Sequence, residues 1–264
     1  MWFNPQTFKL SNLETLETTT HGGWIMKKLV TAFAACMIAG FVSAQVESLN
    51  IVGYNTMAPG DSIIPVGVSL KNMAGTNQDY VVSGPQLFGH TCVDGDAVLV
   101  LNANDGAFDT YYISGGNWYF ISNQGGDDVP VAAFIIPYGG TVYLVVAAPT
   151  VTIAGEVAAL GTQQVVFDPS TNPLSLWPLV NPYPIDTKLS DLASFALDGD
   201  AVLILNALDG AFDTYYISGG NWYFISNQGG DDVPVAGTTV ILPAGVGGYF
   251  VANGGSTRTW TVTL

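Results

Sequence analysis

The chain has 264 residues, 6 Lys and Arg against 21 Asp and Glu, a formal net charge of -15 and a pI near 4.1; 48% is hydrophobic, 12% aromatic and only 10% charged. A chain this rich in aromatics and this poor in charge is not disordered, and six cations cannot line a phosphate backbone, which excludes a nucleic-acid binder. The length suits one large domain or two small ones.

Met26-Lys27-Lys28 precedes the uncharged run Leu29–Val42 and the small-residue exit Val42-Ser43-Ala44. A basic start, a short apolar stretch and an A-x-A-like end define a signal peptide over residues 26–44. A transmembrane anchor needs about 18 or more apolar residues; this run is shorter, so no anchor is expected in the mature chain. Residues 1–25 then read as an upstream leader, with Met26 as the true initiator. Phe33-Ala34-Ala35-Cys36 has the outline of a lipobox, but the apolar run continues past Cys36, so cleavage is expected after Ala44. The mature chain keeps Lys71, Lys188 and Arg258 as its basic residues and Cys92 as its one cysteine. No internal disulfide can form, and stability must come from the core.

The remainder is organised by a duplication at an offset of 104. Asp94–Ala132 and Asp198–Ala236 are identical except at Val100/Ile204 and Asn104/Leu208. That period is far longer than a propeller blade or solenoid unit. A first β repeat over 45–158 and a second over 159–264 are expected, with the boundary where strand signals fade between Glu156 and Gln164.

Within each copy the pattern is β. Ala97–Leu101 is a continuous apolar run, the mark of a strand covered on both faces. Asn102–Gly106 is turn material, and Gly106 is free to take positive φ. Phe108–Ile113 alternates, with Phe108, Thr110 and Tyr112 on one face and Asp109, Tyr111 and Ile113 on the other. Ser114-Gly115-Gly116-Asn117 is a tight hairpin loop, and Trp118–Ile121 returns. This predicts a three-stranded meander followed by a long loop, Asn123–Pro130. In the second copy, Leu176-Trp177-Pro178 with Asn181-Pro182-Tyr183-Pro184 is proline-punctuated and belongs at an edge or in a connection. Helix is confined to a short stretch within Lys188–Phe195. The expected fold is all-β: two tandem antiparallel sandwich- or barrel-like repeats related by a pseudo-twofold, behind an N-terminal signal helix.

Ser48-Leu49-Asn50-Ile51-Val52-Gly53-Tyr54, the two strands Gly95-Asp96 through Asn102 and Gly199-Asp200 through Asn206, and the central Ile153-Ala154-Gly155-Glu156-Val157 are the residues that carry a resemblance. Together they resemble a group of uncharacterised secreted β-proteins of Verrucomicrobia, Planctomycetes and Lentisphaerae. The resemblance spans nearly all of residues 45–264 and implies a signal peptide followed by two β halves, without implying an activity. This chain departs from the group in the near-identity of its two central segments.

Three kinds of chemistry are in view. Asp105, Asp109, Asp127 and Asp128, with Asp209, Asp213, Asp231 and Asp232, offer the oxygen ligands a hard cation such as calcium requires. They do not fit an EF-hand, since counting back from Gly106 puts Leu101 and Ala103 at ligand positions; turn hydrogen bonding is the favoured alternative. His90 and Cys92 form a His-x-Cys pair matched in the second copy by Ser194 and Ala196. Two ligands are too few for zinc, and no partner for a Cys nucleophile is legible. The aromatic hairpins are the third: Tyr111, Trp118 and Tyr119 recur as Tyr215, Trp222 and Tyr223. Both faces of each hairpin carry rings, so one can serve the core and the other a platform for sugar rings. The alternative is that the second face is buried, or joins the two copies.

The reading that follows is a non-enzymatic protein of the bacterial cell surface, extracellular space or periplasm, acting structurally or by adhesion, with a glycan or a second copy of itself as the expected partner. A bivalent carbohydrate-binding module is the alternative, and a secreted glycoside hydrolase built on paired carboxylates a weaker one. No cofactor is expected, apart from the calcium the acidic loops would admit.

Overall fold

The computed structural model describes residues 52–57, 63–72, 78–102, 105–122, 125–147, 151–172, 174–206, 210–225 and 231–264, all within one compact unit, Asn50–Leu264. The expected leader and signal peptide lie outside the described residues. No described helix is long and apolar enough to cross a membrane.

The protein is all-β and built as two tandem antiparallel repeats. The first contains β1 (Val52–Met57), β2 (Ile64–Gly67), β3 (Tyr80–Ser83), β4 (Gln86–Leu87), β5 (His90–Thr91) and β6 (Ala97–Leu101). It continues through β7 (Phe108–Ser114), β8 (Asn117–Ile121), β9 (Val129–Val131), β10 (Ala133–Ile136), β11 (Thr141–Val145) and β12 (Val151–Glu156). The second contains β13 (Thr162–Phe167), β14 (Leu176–Leu179), β15 (Thr187–Lys188), helix α1 (Leu189–Leu192) and β16 (Ala201–Asn206). Its remaining strands are β17 (Ala211–Ser218), β18 (Asn221–Ile225), β19 (Val233–Val235), β20 (Ile241–Leu242), β21 (Gly248–Val251) and β22 (Arg258–Thr263).

Each repeat carries a six-stranded antiparallel sheet, in the order β2-β11-β6-β7-β8-β9 and its counterpart β14-β21-β16-β17-β18-β19. The duplicated segment supplies four consecutive strands of each. The expected meander is therefore one strand longer than the sequence suggests. Val129–Val131, which reads as the end of a loop, pairs with β8 instead. Pro130 is tolerated there because β9 is the sheet edge, where a missing N–H breaks no second ladder. Proline also marks the opposite edge of the second sheet, where Pro178 sits in β14 against Tyr249. The β7–β8 hairpin turns at Gly115 (φ 56°) and Gly116 (φ 74°). Two consecutive positive φ values are the I′ geometry whose twist suits a two-residue hairpin.

One face of each sheet covers a core. Val98, Ile113, Trp118, Val142 and Leu144 pack against Val82, Phe134, Ile136, Val151 and Ile153 in the first repeat. The second layer there consists of two-stranded ribbons, β1 with β12 and β3 with β10. In the second repeat Val202, Ile217, Trp222 and Phe250 pack against Phe167, Leu189, Leu192, Leu242 and Trp260. The helix α1 falls where the sequence confines it.

The opposite faces join the repeats. Leu99, Leu101, Phe108 and Tyr143 meet Leu203, Leu205, Phe212 and Tyr249 in a third apolar cluster. Phe108 stacks on its own counterpart Phe212 at 6.3 Å, and Tyr143 meets Tyr249 at 6.1 Å. The crossed contacts are reciprocal, Phe108 with Tyr249 and Tyr143 with Phe212. Residues touch their own equivalents, with i–j matched by j–i, only around a twofold axis, so the two halves are pseudo-symmetric. The strand β6 is thus covered on both faces, as its apolar run predicts, with Val98 in the core and Leu99 and Leu101 at the joint.

Backbone contacts complete this joint. Gly67 N–H donates to Gly245 O at 2.8 Å, Thr141 Oγ1 donates to Gly248 O at 3.0 Å, and Tyr249 Oη donates to Thr141 O at 3.2 Å. Glycine is required at 247, because a Cβ there would collide with the Thr141 side chain and with Gly67 Cα at 3.0 Å.

Candidate functional site

The alternation along β7 and β8 sorts the hairpin rings into two groups. Tyr111, Ile113, Trp118 and Phe120 face the core, while Tyr112 and Tyr119 face away from it, paired across the strands. Tyr112 and Tyr119 stack at 5.6 Å and 28°, and Tyr216 and Tyr223 repeat the arrangement at 5.4 Å and 23°. Each pair is half-exposed and borders the edge proline, Pro130 beside Tyr119 and Pro234 beside Tyr223. Tyr112 Oη donates to Asp128 Oδ2 and Tyr216 Oη to Asp232 Oδ2. Those hydrogen bonds to the carboxylates push both phenols up to about 12, since ionising either would break the bond and place two negative charges together. The result is a flat Tyr–Tyr–Pro ledge with a carboxylate at its rim, present once on each sheet.

Four of the six rings singled out by sequence lie elsewhere. Trp118 is 1% exposed, with Nε1–H donating to Gly84 O at 2.7 Å, and Trp222 is 4% exposed. Tyr111 stacks on Phe134 at 4.1 Å and Tyr215 packs against the second core; burial raises the pKa of both phenols, with Asp109 and Asp213 adding to the effect. Trp118 and Trp222 are core residues, while Tyr111 and Tyr215 are half-buried and lean on the two cores from the inner face. Of the six, Tyr119 and Tyr223 lie on the outer face, where they pair with Tyr112 and Tyr216 of the same hairpins. The signal that finds them is the cross-strand register: the Gly-Gly hairpin sets Tyr112 directly opposite Tyr119.

The acidic side chains do turn and hairpin work. Asp105 Oδ1 accepts from Ala107 N–H at 3.1 Å, and Asp109 and Asp213 accept from the Asn102 and Asn206 amides at 3.2 and 3.3 Å. Asp94 accepts from Gly116 N–H, and Asp198 from Gly219 and Gly220 N–H, tethering the hairpin loops. Asp127 and Asp231 are exposed, Asp128 and Asp232 are engaged by the tyrosines, and Asp209 lies outside the described residues. No three of the seven described carboxylates converge.

What does converge is a set the sequence set aside. The Asp of each Gly-Asp motif is buried at the start of the meander, Asp96 at 2% and Asp200 at 0% exposure. Asp96 Oδ2 accepts from Val93 N–H at 3.0 Å and Oδ1 from Ala147 N–H at 2.9 Å. Asp200 accepts equivalently from Leu197 N–H at 2.8 Å and Asn253 N–H at 2.7 Å. Each carboxylate thereby ties the meander to the chain leaving β11 or β21. In the second repeat Arg258 closes the site: Nε donates to Oδ2 at 2.8 Å and an Nη to Oδ1 at 3.1 Å, a two-point grip from β22. In the first repeat His90 Nε2 lies 3.3 Å from Asp96 Oδ2, and Cys92 completes a group whose ligand atoms all lie within 4.8 Å of one another. Burial, reinforced by the Asp96 charge, pushes the Cys92 thiol up to about 12. Asp96 reads from sequence as one more turn residue; only the fold brings it under His90 and Cys92.

The fold and these sites define a tandem β-repeat protein with a duplicated aromatic ledge and two differently closed buried carboxylates. No protein-family model, curated protein or solved structure matches the chain.

Proposed function

We propose that this protein is a non-enzymatic, exported adhesive or structural protein whose two halves present matched contact ledges, and that each ledge takes the ring of a saccharide. The observation that carries this reading is the recurrence of the half-exposed Tyr112–Tyr119 pair with Asp128 as Tyr216–Tyr223 with Asp232. A stacked tyrosine pair offers apolar area with polar tips at its edge, and the carboxylate adds acceptors for sugar hydroxyls. A few convergent polar groups beside an aromatic surface fix orientation as well as affinity. The signal-peptide pattern of residues 26–44 supports a place outside the cytoplasm.

Two linked sites act together on a polymer or a surface. Losing one then weakens retention by ~10²–10⁴-fold, while affinity for a single short sugar at the surviving site is unchanged. The experiment compares wild type, Tyr119→Ala, Tyr223→Ala and the double variant on a glycan array and by calorimetry with the oligosaccharides retained. Each single variant should keep monovalent binding and lose avidity, and the double variant should lose both. Full binding by the double variant, or wild type silent across the array, overturns the saccharide reading.

A further inference from the structure

The two buried carboxylates occupy equivalent frames, yet only one has a fixed counter-charge. Asp200 is neutralised by the Arg258 guanidinium, itself buried in the second core. The first copy has no basic residue anywhere between Ala147 and Ala158, the stretch that corresponds to the one bearing Arg258. In exchange it has His90 and Cys92 where the second copy has Ser194 and Ala196. The backbone frame is the same at both places, since Val93 N–H and Leu197 N–H, one residue after Cys92 and Ala196, bond the two carboxylates alike. A carboxylate removed from water without a compensating charge is strongly disfavoured. Something must supply in the first repeat what the guanidinium supplies in the second.

We propose that the first repeat binds one zinc ion through His90 Nε2, Cys92 Sγ and Asp96 Oδ2, in the place that Arg258 fills in the second. A divalent ion with one thiolate, one carboxylate and one neutral imidazole has zero net charge, as does the Asp200–Arg258 pair. Mixed sulfur, nitrogen and oxygen ligands select zinc over calcium or magnesium. The geometry is close to what the ion requires. Two ligand atoms each ~2.0 Å from a tetrahedral ion lie ~3.3 Å apart, and His90 Nε2 stands 3.3 Å from Asp96 Oδ2. Cys92 is 5% exposed and forms no disulfide. That is a buried thiol within reach of an imidazole and a carboxylate. On binding, the thiol proton leaves to solvent and the sulfur–metal bond takes its place. The His90 side chain, 20% exposed, leaves the fourth position open to water. This site is separate from the tyrosine ledges, and it stands or falls independently of their ligand.

The test uses the full chain, stripped with chelator and titrated with cobalt(II) as an optical stand-in for zinc. Wild type should take up one equivalent, with a near-ultraviolet thiolate-to-cobalt charge-transfer band that added zinc abolishes. Cys92→Ala should lose the band, and His90→Ser should weaken cobalt binding at least ~100-fold, beyond the 10–100-fold typical of removing an outer-shell partner. Zinc should raise the melting temperature of wild type but of neither variant, a readout that also reports whether each variant folds. Absence of the band in wild type overturns the proposal. A band that persists in Cys92→Ala overturns it too, because the sulfur would then come from elsewhere.

Discussion

Replacing Arg258 by Ala tests the logic of the buried carboxylates most directly. The guanidinium makes two bonds to Asp200 and two more to backbone carbonyls, from Nη1 to Ser256 O and from the other terminal nitrogen to Asn253 O at 2.9 Å. Asp200 has no exposed surface through which water could take over. Removing one partner of such a pair costs about 3–5 kcal/mol, because the remaining charge is left buried and uncompensated. For a chain of this size each kcal/mol shifts the melting temperature by ~2–4 °C, so Arg258→Ala should lower it by roughly 6–20 °C. Urea unfolding followed by tryptophan fluorescence is the assay, since Trp177, Trp222 and Trp260 all report on the second core. Adding Asp200→Asn to Arg258→Ala should recover part of the loss, because the amide keeps an acceptor for the Asn253 N–H while shedding the charge. A single variant within ~1 kcal/mol of wild type, or a double variant worse than the single, would mean that Arg258 does not compensate the Asp200 charge.

Other outcomes follow from the joint and the phenols. Phe108→Ala and Phe212→Ala should each cost about 1–3 kcal/mol, less than a fully buried ring since both are half-buried, and a double-mutant cycle should show coupling of about 0.5–1.5 kcal/mol; strictly additive losses would mean that the repeats do not stack through these rings. The unfolded phenols ionise near 10, whereas Tyr80, raised by burial, and Tyr112 and Tyr216, raised by their carboxylate partners, ionise at about 12 in the fold. Their contribution is complete below pH ~10 and is lost as pH rises toward ~12. The urea midpoint should fall across that window, and Asp128→Asn with Asp232→Asn should bring two tyrosines back toward ordinary ionisation in an absorbance titration; an unchanged titration would remove the Tyr–Asp bonds.

The residues that declare themselves in the sequence are those whose meaning is local. The apolar run Ala97–Leu101, the alternation of Phe108–Ile113 and the Gly115-Gly116 turn each state a strand or hairpin through backbone preference and side-chain period. The prolines at 178 and 182 place their segment at an edge for an equally local reason, the missing N–H. The repeat at offset 104 states that whatever is built is built twice. Val129–Val131 escaped because three residues around a proline carry no period of their own, and pairing with β8 is what makes them a strand.

The sites depended on information of another kind. Trp118 and Tyr119 are neighbours in sequence, and nothing in the composition says which enters the core; the register and the layer above β8 decide it. Asp96 and Asp200 stand in identical local sequence, Gly-Asp-Ala-Val-Leu, and have different chemistry because Arg258 arrives from 58 residues downstream in one repeat and His90 from six residues upstream in the other. An all-β protein of two halves, each built around a near-identical central segment, is legible in the chain because strand period, turn chemistry and duplication are written in short segments. Packing joins the halves through Phe108 and Phe212, sets Tyr112 and Tyr119 on the half-exposed face, and brings His90, Cys92 and Asp96 together. Those are contacts between segments distant in the chain or folded back on one another, and only the packed sheets bring them within reach.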